Sequence, residues 1–426
     1  MLALGFASGL PFLLTGATFG FWLADEGVTA TAIGFLSWVG LAYTLKFIWA
    51  PFIDRLSAPF LGKLGRRRGW AIFVQLLIAL TLLAMAAVGP RGPGGLGAIG
   101  ALALVVAFAS ATQDIVVDAW RIEAASSNDE LGLFTSAFQL GYRAAMLVTD
   151  ALILIFAQHL GWPISYLLMG SLMSVGLIAA WRMPEPALAD EIMERKAHNA
   201  PLWTARGLTD AIVGPFVEFF RVHGVLALLM LLMISVYRLP EFIIGPVQGP
   251  FYHDLGLSKD VIGAVRGSIG LIASACGIAA GGLCVFRLGY IRALLVGAVL
   301  QAMGVAMYAL VAHSGADLRV FGLAMATDNF CYAFAGVALM TYMSSLTSLG
   351  YTATQYALMS STYALLGKFL KGFSGAVVDH LSLTHTRMDA YGLFYIGAGC
   401  VALPGLILCL TLASRGPARH QSAAAA

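Results

Sequence analysis

The amino-acid sequence predicts an all-α polytopic membrane protein, with about twelve transmembrane helices in two six-helix pseudo-repeats. Three observations predict it. The 426 residues are 59% hydrophobic and 11% charged, with a mean hydropathy of +0.84, whereas a soluble domain carries roughly 25% charged residues. Apolar stretches long enough to cross hydrocarbon, about 20 residues in helix, recur along the whole chain. A polar segment near the middle, PEPALADEIMERKAHNA (Pro184–Ala200), separates six such stretches from six more.

The first six spans are expected over Leu2–Ala24, Ala30–Leu56, Trp70–Val88, Leu96–Glu123, Leu131–His159 and Pro163–Arg182. The opening run begins at Leu2 and continues for a full crossing length, so it reads as a helix and not as a cleaved signal peptide. Gly9, Pro11 and Gly16 let it bend or approach a neighbour closely. A linker follows over Met183–Val222. The second six spans are expected over Val225–Tyr252, Lys259–Phe286, Tyr290–Ala312, Leu318–Leu349, Thr352–His380 and Tyr391–Ser414. The organisation is therefore an N-terminal bundle (1–182), a linker (183–222), a C-terminal bundle (223–414) and a tail (415–426).

Basic residues orient the chain. Arg55, Lys63 and Arg66, Arg67 and Arg68 lie between spans two and three; Arg182, Arg195, Lys196, Arg206 and Arg221 lie in or beside the linker. Arg287 and Arg292 lie between spans eight and nine, and Arg415 and Arg419 lie in the tail. All of these segments fall on one side, which puts both termini in the cytoplasm. The formal charge of +3 gives no sign of a nucleic-acid partner. The five cysteines sit in apolar runs without metal-ligand spacing, and no HExxH or GxSxG string occurs, so neither a metal, a cofactor nor an enzyme is expected.

The halves resemble each other. LFTSAFQLGYRAAML in span five aligns with LMSSTYALLGKFLKG in span eleven at an offset of 225, which pairs Arg143 with Lys368. ATQD (Ala111–Asp114) in span four parallels ATDN (Ala326–Asn329) in span ten. Parallel six-helix halves are the architecture of major facilitator transporters.

A charge at the bilayer centre costs about 2.5–3.5 kcal/mol on insertion scales, so each one needs a partner, a cavity or a function. Span four carries Asp114 and Asp118 one turn apart on one face, with Arg121 a turn beyond. Two carboxylates this close resist being ionised together, which makes them candidates for proton coupling. The alternative is a static network of Asp118 and Asp54 with Arg121. Lys46, two turns before Asp54, is a plausible partner for either aspartate and a candidate for substrate binding. Gln113 points either to a sugar or to a neighbouring helix. Arg143 and Lys368 suit an anionic solute, or pair with buried acids. Arg238 and Glu241, three residues apart across Pro240, read first as an internal pair, with a substrate role for Arg238 second. Tyr142, with Trp22, Trp38, Tyr43, Tyr237 and Tyr332, offers an apolar face and a polar tip to a sugar ring, or simply packs. Asp54, Arg55 and Arg121 are the candidate cytoplasmic gate.

The loop APFIDRLSAPFLGKLGRRRGW resembles the signature loop of the major facilitator superfamily, with Ala50 in place of the usual glycine and extra residues before Gly65–Arg68. LGFASGLPFLLTGATFGFWLADEGV, GLAYTLKFIWAPFIDR, ATQDIVVDAWRIE, FYHDLGLS and TATQYALMSS resemble the AmpG family of anhydromuropeptide permeases. The resemblance implies a monomeric, proton-driven importer in the bacterial inner membrane. Its cargo would be GlcNAc-1,6-anhydroMurNAc with or without stem peptide. Another bulky anionic solute, a siderophore or an acyl-CoA-like molecule, is the alternative, because the QDI motif is shared with an acetyl-CoA transporter branch. Span seven also departs from the family, reading YRLPEFIIGP where a small-residue Gly-Asp stretch is expected.

Overall fold

The computed structural model describes residues 1–92, 94–186, 191–192 and 204–415. Most of the acidic-basic centre of the linker, including Arg195 and Lys196, and the tail beyond 415 lie outside the described residues. Every element among the described residues is helical.

Among the described residues, ten helices are long and apolar enough to cross a membrane: Leu2–Asp25, Arg66–Val88, Gly95–Ala124, Asn128–Leu160, Trp162–Trp181, Leu226–Asp254, Val261–Leu288, Tyr290–Ser314, Leu318–Ser345 and Arg387–Ser414. They coincide with ten of the expected spans to within several residues. The other two are assembled from shorter pieces. Span two runs as Ala30–Leu36, a 3-10 turn Ser37–Gly40, Leu41–Leu45, a 3-10 turn Lys46–Ile48, and Ala50–Arg55. Span eleven runs as Thr352–Leu370, a 3-10 turn Lys371–Phe373, and Ser374–Leu381. The breaks follow from composition. Gly40 and Pro51 lie at breaks of the first, and Gly372 lies in the break of the second.

The chain forms two compact units. The first comprises Met1–Ala125, Ala137–Glu218 and Thr347–Ser361. The second comprises Ser126–Ser136, Phe219–Leu346 and Thr362–Ala426. The start of span five thus belongs with the second unit, where Ser136 Oγ donates to the Ile278 carbonyl at 3.3 Å. The start of span eleven belongs with the first.

In the first unit, spans one and five touch backbone to backbone. A Cβ on Gly141 would overlap the Leu2 carbonyl oxygen, and one on Gly5 would overlap that of Phe138. A core of Leu10, Leu14, Ile78, Leu82 and Met169 surrounds Trp22, which is 0% exposed and lies with its ring centroid 6.2 Å from Trp162 and 4.5 Å from Tyr166. Trp22 is therefore a packing residue and not a sugar platform. Tyr166 donates to the Leu14 carbonyl at 2.9 Å, and Trp162 to Asp25 at 2.8 Å. Tyr166 and Trp162 keep their polar tips satisfied in this way, whereas Trp22 Nε1 is buried without a hydrogen-bond partner among the described residues.

The core of the second unit gathers Phe251, Tyr252, Tyr308, Phe321, Tyr391 and Tyr395. The outward faces carry residues such as Leu80 and Ile272, 63% and 65% exposed, which hydrocarbon solvates and water does not.

Candidate functional site

Two polar clusters occupy the first unit, and both are built on span four. One follows from the QDIVVD stretch of Gly95–Ala124. Spacing of four places Asp114 and Asp118 on the same helical face. Lys46 stands opposite, on a 3-10 turn that the broken course of span two produces. Lys46 Nζ lies 3.8 Å from Asp118 Oδ2, and Arg121 Nη2 lies 3.3 Å from Asp118 Oδ1. Both oxygens of Asp118 therefore face cations. Asp114 is different. It lies within electrostatic reach of Lys46 and Asp118 and beside Ser8, yet its Oδ1 is buried without a hydrogen-bond partner among the described residues. Of the two aspartates it alone has a carboxylate oxygen to spare.

Gln113 is 0% exposed and donates to Ser8 Oγ at 3.3 Å. Of its two readings, the structure places it against a neighbouring helix, span one. Trp49 Nε1 donates to Thr112 Oγ1 at 3.1 Å and ties span two to span four one residue earlier.

The second cluster centres on Asp54, which is 2% exposed. Its Oδ1 accepts from Arg67 Nη2 at 2.8 Å and from the Ala353 backbone N–H at 3.2 Å. Its Oδ2 accepts from the Thr354 N–H at 2.9 Å and the Thr354 hydroxyl at 2.7 Å. These amides are in the first turn of the helix starting at Thr352, where they have no intrahelical partner and the helix dipole favours an anion. Arg67 in turn forks onto Glu123 with Nε–Oε2 at 2.9 Å and Nη2–Oε1 at 2.5 Å. Arg66 adds Nη2 at 3.8 Å from Glu123 and Nη1 at 3.1 Å from the Asp54 carbonyl. Glu185 caps the helix that begins at Arg66 by accepting the Arg67 and Arg68 amides at 2.5 and 2.9 Å.

Of the static network expected from the sequence, the Asp118–Arg121 pair forms and the Asp54–Arg121 pair does not. Arg121 does not reach Asp54. It pairs with Asp118, and its guanidinium lies over the rings of Tyr356 and Phe138, 5.5 and 5.9 Å from their centroids. Arg67, in the first turn of the helix Arg66–Val88, takes Asp54 instead. Arg55 pairs with Asp210, whose other oxygen accepts from the Tyr351 hydroxyl at 2.9 Å. Burial and the Asp210 carboxylate push the Tyr351 phenol up to about 12, so it remains a donor throughout the physiological range.

Sequence reasoning missed Glu123, Thr354, Glu185 and Asp210 as partners. Glu123 was in view beside Arg121, and Thr354 is in the TATQ string, but only the folded chain brings them to Asp54 and Arg67.

In the second unit Arg238 and Glu241 form the expected internal pair, with Nε–Oε2 at 2.8 Å, and the Arg238 guanidinium stacks 4.3 Å from the Tyr332 ring centroid. Tyr237 is buried, and its hydroxyl donates to the Leu294 carbonyl at 2.8 Å, so it serves packing. Asp328 accepts from Tyr308 at 3.1 Å. Lys368 is exposed and shares its stretch of span eleven with Lys371. Arg143 is half-buried in the first unit, beside Tyr142, whose ring lies 6.1 Å from Phe138 and 6.4 Å from Phe12. Among the described residues no three His, Cys, Asp or Glu side chains gather into a group that could hold a metal.

The Major Facilitator Superfamily model matches residues 1–370. The chain is 36% identical over 412 residues to the anhydromuropeptide permease of Escherichia coli strain K12, covering 96% of this chain and 78% of the relative. It is 31% identical over 383 residues to the putative transporter AmpG 3 of Rickettsia typhi, covering 90% of each. Among solved structures it is similar to the proton:xylose symporter XylE bound to 6-bromo-6-deoxy-D-glucose, with a TM-score of 0.66, 14% identity, and coverage of 98% of this chain and 94% of the symporter. That likeness is one of fold. The chain belongs to the AmpG family of the major facilitator superfamily, a family of membrane transporters and not of enzymes.

Proposed function

We propose that this transporter imports anhydromuropeptides, GlcNAc-1,6-anhydroMurNAc with or without the stem peptide, across the bacterial inner membrane by alternating access, driven by the proton gradient. The observation that carries the cargo assignment is the 36% identity across 96% of the chain with a permease named for that cargo. The orientation has both termini in the cytoplasm, from the basic loops, and the working unit is a monomer without a cofactor.

The first unit supports the coupling half of the proposal. Lys46 lies within electrostatic reach of two carboxylates, and one of them, Asp118, is already held by Arg121. Asp114 is then the group free to change protonation. Ionised, it draws on Lys46; protonated, it releases Lys46 to Asp118 and needs no cation. A proton bound at Asp114 thereby changes how spans two and four are tied together. This is the kind of two-state element that can bias a conformational equilibrium. Asp118 is the fixed partner in this scheme.

Asp54, Arg55, Arg67 and Glu123 form the cytoplasmic latch. Asp54 holds the first turn of span eleven, and the fork of Arg67 on Glu123 keeps Asp54 in position. Arg143, in the first unit, is assigned to a carboxylate of the cargo and Tyr142 to a sugar face; Lys368, in the second unit, is a separate candidate for an anionic group.

Uptake into right-side-out membrane vesicles tests the proposal. Labelled anhydro-disaccharide should accumulate when a proton gradient is imposed, and collapse of the gradient should stop it. Absence of accumulation under the imposed gradient refutes the assignment. Accumulation of a siderophore or an acyl-CoA in its place would transfer the cargo to that class.

A further inference from the structure

The second unit holds a cavity of about 820 Å³ lined by none of the residues assigned above. Its size falls in the range of about 300–1,000 Å³ usual for sites that take small organic ligands. Apolar walls come from Leu226, Met230 and Leu412, at the ends of spans seven and twelve. The adjacent Leu228 and Leu410 are exposed, 65% and 52%, as lipid-facing residues are. The cavity therefore opens on helices that meet the bilayer.

Its polar lining is arranged by charge. Arg292 lies in the first turn of the 25-residue helix Tyr290–Ser314, whose N-cap Gly289 supplies no side-chain cap. The opening amides of that helix and the guanidinium together suit an anion. Asp129, also in the lining, supplies a negative charge. Both side chains are exposed, and among the described residues neither has an ion-pair partner. A third group points to a ligand independently. Tyr342 lines the cavity, is 1% exposed, and its hydroxyl has no hydrogen-bond partner among the described residues. A buried hydroxyl left without a partner is costly, and a bound acceptor would satisfy it.

We propose that this cavity binds a phospholipid of the cytoplasmic leaflet whose head group carries a phosphate and a primary ammonium. The phosphate sits on Arg292 and the helix amides, and the ammonium donates to Asp129. Tyr342 donates to an ester carbonyl, and the acyl chains lie along Leu226, Met230 and Leu412. A free phosphate would leave the apolar walls unfilled. An anionic head group without an ammonium would meet Asp129 unfavourably. A quaternary ammonium has no N–H to give it. The leaflet follows from Arg287 and Arg292 and the positive-inside rule. The site is independent of the cargo assigned above.

The test uses the purified full chain in detergent, stripped of lipid, with retained lipid counted by native mass spectrometry. Dioleoyl-phosphatidylethanolamine should be retained about tenfold better than dioleoyl-phosphatidylcholine at equal concentration, a difference of about 1.4 kcal/mol. Arg292→Ala should lose about tenfold for both lipids. Asp129→Asn should bring the two lipids to near equality, and Tyr342→Phe should weaken both by a few-fold. Melting of the lipid-free variants should match the parent, since Arg292 and Asp129 are exposed. Equal retention of the two lipids by the parent protein overturns the proposal. So does undiminished retention by Arg292→Ala, or stronger retention of dioleoyl-phosphatidylglycerol than of the ethanolamine lipid. Soluble O-phosphoethanolamine that displaces the lipid at millimolar concentration would reassign the cavity to a water-borne solute and overturn it as well.

Discussion

The carboxylate of Asp54 holds the amino-terminal turn of the helix that starts at Thr352, accepting the Thr354 amide at 2.9 Å across 300 residues of sequence. A charge buried this deeply is tolerated because every lone pair has work. Arg67 supplies the countercharge, and the helix supplies amides that nothing else in that turn would satisfy.

Replacing Asp54 therefore removes one of the two carboxylates on Arg67 and the anion at the helix start. Asp54→Asn should destabilise the protein by about 3–5 kcal/mol, the usual cost of removing one partner of a buried pair. Thr354→Val deletes only the hydroxyl donor and should cost about 0.5–1.5 kcal/mol. Thermal melting in detergent separates the two. Equal, small shifts for both variants would show that the latch carries little of the stability.

Tyr351 donates to Asp210, and its phenol stays protonated up to about pH 12. Tyr351→Phe should thus lower stability by about 0.5–1.5 kcal/mol. The decrement should be the same at pH 6 and pH 8, because the donor does not titrate between them. A decrement that appears at only one of these pH values would mean that another group governs the contact.

Spans one and five meet where Gly141 faces the Leu2 carbonyl and Gly5 faces that of Phe138. Neither position has room for a methyl group. Gly141→Ala should force the helices apart and cut the yield of folded protein, read as the monodisperse fraction on size-exclusion chromatography. A fully monodisperse Gly141→Ala variant would show that the helices slide to make room at little cost.

Arg143 is assigned to the carboxylates of the stem peptide. Arg143→Ala should weaken uptake of peptide-bearing cargo about tenfold or more while leaving the bare disaccharide closer to the parent level. Competition uptake in vesicles with the two cargoes reads this directly. Equal losses would make Arg143 a structural residue.

The membrane class and most spans were legible because apolar length is a one-dimensional property. Lys46 and Asp118 were also legible as partners, since each is a costly intramembrane charge on an otherwise apolar helix. The pairing of Arg238 with Glu241 followed from spacing alone. The latch was only half legible. Asp54 and the arginines stand out, but the sequence offers Arg121 for Asp54, and Arg67 takes that place through its fork with Glu123. The contribution of Thr354 is invisible in sequence, because its backbone amide is one that any residue at that turn would offer and its hydroxyl meets Asp54 only in the folded chain. Trp22 likewise reads as a sugar-facing ring or a packing residue until Trp162 and Tyr166 close over it. Residues that act through tertiary neighbours leave no periodic trace in sequence.

The central claim is that Asp114, and not Asp118, carries the coupled proton. Proteoliposomes containing Asp114→Asn should lose gradient-driven accumulation of labelled anhydro-disaccharide while keeping exchange of cargo across the membrane. Asp118→Asn, measured beside it, should retain accumulation and show its cost in thermal stability. Accumulation by Asp114→Asn at the level of the parent protein would contradict the account.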